Sequence, residues 1–320
     1  MHASDAPAPD VAQRDARYRR MLDVAAGLPP VRLAVAHPCD AESLAGALLT
    51  RTAGIAEPVL VGPAWRIRAV AEEHGLDLGG VDIVDVEHSH AAAEKAVELC
   101  REGRCEAMMK GSLHTDELLG AVVDKTTGLR TGRRISHVFV ADVPTYPHPL
   151  MITDAAINIE PTLEEKADIV RNAIDLAHAM GLAEPKVAIL SAVETVTPKL
   201  RSTIDAACLC KMADRGQIRG GLLDGPLAFD NAISLPAAQT KGIVSPVAGR
   251  ADILVVPDIE SGNMLAKQLE YLAHALLCGI VLGARVPIVL TSRADDARTR
   301  AASCAIAQLL AHRKRTAVRP

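Results

Sequence analysis

Residues 31–61 read VRLAVAHPCDAESLAGALLTRTAGIAEPVLV. An apolar run, Val31–Ala36, gives way to an amphipathic stretch, Ala41–Thr52, and then to a second short apolar run, Pro58–Val61. Apolar runs that do not alternate with polar residues are buried on both faces, as in a parallel sheet covered by helices. Strand–helix–strand is therefore the building unit, and its repetition sets the fold class as α/β. Further strands are predicted at Val81–Val86, Glu106–Met109, Ile135–Val140, Leu150–Thr153 and Val187–Leu190. Three more follow at Gly221–Asp224, Ile253–Pro257 and Pro287–Thr291. Amphipathic stretches between them include Ala91–Arg101, Leu163–Met180, Pro198–Arg215, Gly262–Leu277 and Ala294–Ala311. Thr162 with Glu165 reads as a capping box before the long central helix.

Ten strands exceed what one compact doubly wound sheet of this length holds, which points to two lobes. The break is placed near Ala155–Pro161, with the last strand and helix returning to the first lobe. The expected layout is an N-terminal extension over 1–29, a first α/β lobe over 30–155 plus 287–320, and a second over 156–286. A cleft between such lobes is where ligands bind.

Composition narrows the function. The 320 residues are 49% hydrophobic and 23% charged, a globular balance. Aromatics make up 2%, too few for base-stacking platforms, and a net charge of −4 leaves no basic footprint for nucleic acid. The stretch Tyr271–Leu290 is apolar, but His274, Gly279, Gly283, Arg285 and Pro287 interrupt it. It reads as buried helix, turn and buried strand rather than a membrane span. Seven scattered cysteines without CxxC spacing read as reduced, mostly buried thiols in a cytoplasmic protein. Met1 to Pro9 lacks an apolar signal-peptide core.

No GxGxxG follows the first strand, and GxxxxGK[ST], GxSxG and HExxH are missing. Polar clusters at strand ends remain. Lys110, Gly111 and Ser112 form a strand-to-helix turn where glycine admits a ligand near free N–H groups. Arg130, Arg133 and Ser136 belong to a basic loop flanked by Gly128 and Gly132, suited to phosphate or to plain solvation. Asp230 follows the Gly225–Pro226 bend and serves equally as an N-cap. Asn263 and Lys267 follow another turn, Pro257–Gly262. The last cluster is Ser292, Arg293, Asp295 and Asp296. Ser292 followed three residues later by Asp295 resembles a capping box, and the same geometry makes an anion site with a carboxylate to take a proton.

Read together and in order, these clusters resemble the phosphate acetyl/butyryl transferase family, more its butyryl branch. The matching stretches include MKGSLHT at 109–115, GLRTGRRISHVFV at 128–140, PDIESGNMLAKQL at 257–269 and VPIVLTSRADD at 286–296. The likeness begins near residue 30. It implies an isocitrate/isopropylmalate dehydrogenase-like, two-lobed α/β/α fold and exchange of a short acyl group, butyryl or acetyl, between coenzyme A and phosphate. It further implies that Ser292 and Arg293 sit at the reacting centre, Arg293 on phosphoryl oxygens. The acetyl branch's aspartate base falls here on Thr299, so Asp295 is assigned as base with Asp296 second. Lys110, Gly111, Ser112, Arg130, Arg133, Ser136, Asp230, Asn263 and Lys267 are assigned to coenzyme A. Coenzyme A is then a substrate, with no metal and no tightly bound cofactor, and the chain is expected to form a homodimer or higher homo-oligomer. The competing readings are a silent acyl-coenzyme-A-sensing domain and a metal- and NAD-dependent dehydrogenase of the same fold.

Overall fold

Residues 11–292 and 295–317 are described by the computed structural model, with side chains from residue 15 onward. The strands are β1 (Val31–Ala36), β2 (Ala56–Gly62), β3 (Asp82–Asp85), β4 (Ala107–Lys110), β5 (Ser136–Asp142) and β6 (Leu150–Thr153). They continue as β7 (Lys186–Leu190), β8 (Leu222–Leu227), β9 (Ile253–Val255), β10 (Leu276–Leu282) and β11 (Ile288–Val289). The helices are α1 (Val11–Asp23), α2 (Ala41–Thr52), α3 (Ala64–Glu73), α4 (Ser89–Arg101), α5 (Thr115–Val123) and α6 (Leu163–Ala179). They end with α7 (Arg201–Asp214), α8 (Phe229–Ile233), α9 (Leu235–Thr240), α10 (Ile259–Leu272) and α11 (Ala297–Ala317).

All the strands belong to one sheet, in the order β3-β2-β1-β4-β11-β10-β5-β6-β9-β7-β8. The first and second halves of the chain share this one sheet. β3, β2, β1, β4 and β11 run parallel, as do β6, β9, β7 and β8. Antiparallel pairing at β11–β10, β10–β5 and β5–β6 reverses direction three times between these runs. Their carboxyl ends therefore lie at opposite edges of the sheet. In this order β5 lies between β10 and β6, next to the second run.

One core cluster fills the face covered by α2, α6, α7 and α11. The opposite face carries two separate clusters, one under α4 and α5 and the other under α8, α9 and α10. Between those two, Gly279 on β10, His137 on β5 and Asp154 after β6 form a polar seam. The capping box forms as read: Thr162 accepts from the Glu165 N–H, and Glu165 reaches back to the Thr162 N–H at 2.9 Å. The seven cysteines are free thiols; five are buried, and Cys208 and Cys210 are partly buried. No helix among the described residues is long and apolar enough to cross a membrane.

Candidate active site

The turn after β4 is stitched to the end of β1. The Gly111 N–H donates to the Ala36 carbonyl at 2.9 Å and the Ser112 N–H to the His37 carbonyl at 2.8 Å. His37, with φ at 53°, closes the turn through Nδ1, 2.7 Å from the Ser112 carbonyl oxygen. A Cβ on residue 111 would lie 2.5 Å from the Ala36 oxygen, so only glycine fits. Lys110 is buried, its ammonium 3.4 Å from the Gly111 carbonyl oxygen, while Ser112 is exposed.

Beside this turn β11 ends, and Thr291 and Ser292 follow. Arg300, one turn into α11 and buried, holds the loop in shape. Its guanidinium donates to Thr291 Oγ1 at 2.7 Å, to the Ser292 carbonyl at 3.1 Å and to the Asp295 carbonyl at 3.3 Å. It passes close beside Gly46 of α2, where a Cβ would stand 2.9 Å from the arginine's own Cβ. Sequence reading missed Arg300, which looks like an ordinary helix-surface charge.

Ser292 does not cap α11. The helix starts at Ala297, and Asp296 Oδ1 accepts the Thr299 N–H at 2.8 Å in the capping position. Instead the Ser292 N–H donates to Asp295 Oδ2 at 2.7 Å, upstream of the helix. Arg293 lies outside the described residues. Asp296→Ala is expected to cost about 1 kcal/mol of stability; chemical denaturation of the variant checks this.

The Asp295 carboxyl is pushed up to about 6. Burial is the main cause and Glu270 adds to it; the Ser292 N–H, Arg300 and Lys267 oppose them. Glu270 and Lys267 project from α10, paired at 2.7 Å, with the Lys267 ammonium 5.7 Å from the Tyr271 ring centre. Asp295 opens into a cavity of about 550 Å³ that Glu270, Tyr271, His274, Arg17 and Tyr18 also line. A carboxylate raised toward neutrality beside a cavity of ligand size is the arrangement of a proton acceptor.

Along the seam, the Asp154 carboxylate accepts from the backbone N–H groups of His137, Ala156 and Ile157 at 3.1, 2.9 and 3.0 Å. His137 Nε2 lies 3.5 Å from the Leu290 carbonyl oxygen, and burial lowers the imidazole pKa. Asn263 donates to the Ala155 carbonyl at 3.2 Å, fixing the start of α10 to the same loop.

Four assigned residues stand elsewhere. Arg133 is ion-paired with Asp175 on α6 and lines a different cavity, with Leu310, Arg313 and Lys314 from the far end of α11. With about 1.5 Å of rise per residue, that is on the order of 20 Å along the helix from the Ser292 end. Arg130 is exposed and bridges through its backbone to Ala284. Ser136 is fully buried, accepting from Asn172 Nδ2 at 2.8 Å. Asp230 lies 3.6 Å from Lys241, near the β8 edge of the sheet. The basic loop is thus drawn into tertiary ion pairs that local sequence does not reveal. Among the described residues, no three His, Cys, Asp or Glu side chains converge as a metal site would require.

Residues 89–308 match the family model described as "Phosphate acetyl/butaryl transferase". The chain is 65% identical over 301 residues to a phosphate acetyltransferase of Rhizobium meliloti, covering 94% of this chain and 95% of the relative. It is 44% identical over 283 residues to a phosphate butyryltransferase of Clostridium acetobutylicum, covering 88% and 94%. Its structure matches that of a branched-chain phosphotransacylase from Enterococcus faecalis V583 with a TM-score of 0.75, at 30% identity, over 88% of this chain and 99% of the other.

Proposed function

Since the chain belongs to the phosphate acetyl/butyryl transferase family and exchanges a short acyl group between coenzyme A and phosphate, we propose that the exchange takes place at Ser292, Arg293 and Asp295. The supporting observation is the raised Asp295 carboxyl, which opens into the cavity and accepts the Ser292 N–H. In the thioester-forming direction the coenzyme A sulfur attacks the carbonyl carbon of the acyl phosphate. The S–H proton passes to Asp295, the carbon–sulfur bond forms, and the acyl–oxygen bond breaks to release phosphate. A thiol titrates near about 8.5 and an ordinary aspartate near about 4, so a base near 6 roughly halves the proton-transfer mismatch. Asp296 is the weaker candidate because its carboxylate is committed to capping α11. Arg293 is assigned to the phosphoryl oxygens, for which a planar guanidinium is suited.

For coenzyme A the candidates at this end of the molecule are Lys110, Gly111, Ser112 and Lys267, with Asn263 one turn earlier on α10. The finer fold assignment, isocitrate/isopropylmalate dehydrogenase-like, draws support from the two opposed parallel runs and the divided helical layer above the seam. Met264, Tyr271 and Leu272 are exposed apolar groups on α10 and favour that helix as a homo-oligomer contact. A cytoplasmic location and the lack of a tightly bound cofactor belong to the same reading.

Acetyl is the acyl group proposed to react best. Identity to the acetyltransferase exceeds that to the butyryltransferase, although the motifs resemble more the butyryl branch. Phosphate-dependent release of coenzyme A from acetyl-, propionyl- and butyryl-CoA tests both points. Acetyl-CoA should give the largest kcat/KM, by roughly tenfold or more over butyryl-CoA. A higher kcat/KM for butyryl-CoA overturns the acyl assignment.

A further inference from the structure

Helix α1 lies outside both the family match at 89–308 and the segments that carry the resemblance. It nevertheless reaches the candidate site. Asp15 pairs with Arg298 at 2.7 Å, and the Arg298 guanidinium lies 4.4 Å from the centre of the Tyr18 ring. Arg298 is in the first turn of α11, three residues beyond Asp295. On the other side, Arg20 is 3.3 Å from Asp142, a fully buried carboxyl at the end of β5. Arg17, also buried, lines the Asp295 cavity together with Asp15 and Tyr18.

We propose that α1 is a working wall of the active site: held by Arg298 and Asp142, it places Tyr18 and Arg17 as positioning residues that shield the Asp295 carboxylate from bulk water. This deepens the reading of Asp295 as the base and rests on it. The groups facing Asp295 from α10 are Lys267, Glu270 and Tyr271, with His274 just after that helix; from α11 they are Arg298 and Arg300, with Asp296 just before that helix, and from β10 Cys278. From α1 they are Asp15, Arg17 and Tyr18. Arg300 and Lys267 pull the carboxyl down and Glu270 pushes it up, but burial is the largest influence. Loosening α1 admits water, weakens that influence and lowers the pH at which Asp295 gives up its proton. A less basic carboxylate is also a poorer proton acceptor, so the plateau rate falls.

The test compares pH profiles of kcat in the thioester-forming direction, from pH 5 to 8, for the full-length enzyme, Tyr18→Ala/Arg20→Ala, Tyr18→Phe and Asp295→Asn, each with its melting temperature. In the double variant the acid limb should move down by about one pH unit and plateau kcat should fall about tenfold. Tyr18→Phe keeps the ring under Arg298 and should restore the wild-type limb. If the double variant does not fold, Arg20→Gln is read in its place, with the same shift expected at smaller size. An unmoved limb in a folded α1 variant overturns the proposal and leaves α1 as packing alone. A wild-type limb that persists at full rate in Asp295→Asn overturns instead the assignment of the base.

Discussion

Asp295→Asn should lower turnover by roughly two to four orders of magnitude while leaving the protein at least as stable as before. The two effects have one cause. A carboxyl whose folded-state pKa is raised, here to about 6, destabilises the fold once it ionises. Its stability contribution is fully present below the unfolded value near about 4 and is lost as pH rises through about 6. Removing the charge should therefore return stability on the order of 2 kcal/mol at pH 7.5 and little at pH 4. Asparagine keeps an oxygen to accept the Ser292 N–H, so the loop is not broken. Melting temperatures at both pH values, with kcat at the upper one, check the pair. Full turnover combined with a loss of stability would mean that Asp295 serves only the loop.

Gly279→Ala is the second change with a large expected effect. Gly279 sits in β10 where the seam is tightest: its N–H lies 3.3 Å from Ser303 Oγ of α11 and its carbonyl accepts the Leu290 N–H. A Cβ there would fall within the contact radius of the Leu290 carbonyl oxygen and 3.0 Å from His137 Nε2. The oxygen belongs to main chain and cannot swing aside. Either β11 is pushed away, carrying Thr291 and Ser292 with it, or the β10–β5 pairing opens. The expected cost is about 3 kcal/mol or more, at the upper end for overpacked interiors. Turnover of the folded fraction should fall as well, because the displaced strand carries the reacting loop. Denaturant midpoints and active-fraction kcat measure the two effects separately.

The same strand marks the limit of what the sequence discloses. β1 and β6 have the residue bounds expected from their apolar runs, and the other parallel strands differ by a few residues at their ends. β10 is missed because LLCGIVL at 276–282 is buried on both faces and follows α10 with little polar break. Periodicity cannot separate such a run from the end of a buried helix, and the predicted helix accordingly extends to Leu277. His274, with φ at 53°, lies in the short break between them, a backbone state that its residue type does not announce. The site divides in the same manner. Ser292 and Asp295 stand out because a hydroxyl and a carboxylate share one turn. Arg300 does not, since its importance lies in its bonds to Thr291 Oγ1 and to the Ser292 and Asp295 carbonyls, which a charge on a helix does not announce. The arginine-rich loop is legible only as composition: that Asp175 of α6 pairs with Arg133 is a tertiary contact that local sequence does not show.

An enzyme that handles acyl phosphates and thioesters is surrounded by acylating agents, and its own thiols are potential targets. Only the thiolate attacks such a reagent. Burial pushes Cys39 and Cys105 up to about 11 and Cys210 and Cys278 to about 12, and moves Cys100 and Cys304 upward as well. For a thiol near 12, on the order of one molecule in 10⁵ is ionised at pH 7, against a few per cent for an ordinary cysteine. Cys278, next to Gly279 in the strand beneath the seam, is among those most strongly protected. The aliphatic core thus does more than fold the chain: by holding these six sulfurs as thiols it leaves coenzyme A with little thiolate competition from them for the acyl group.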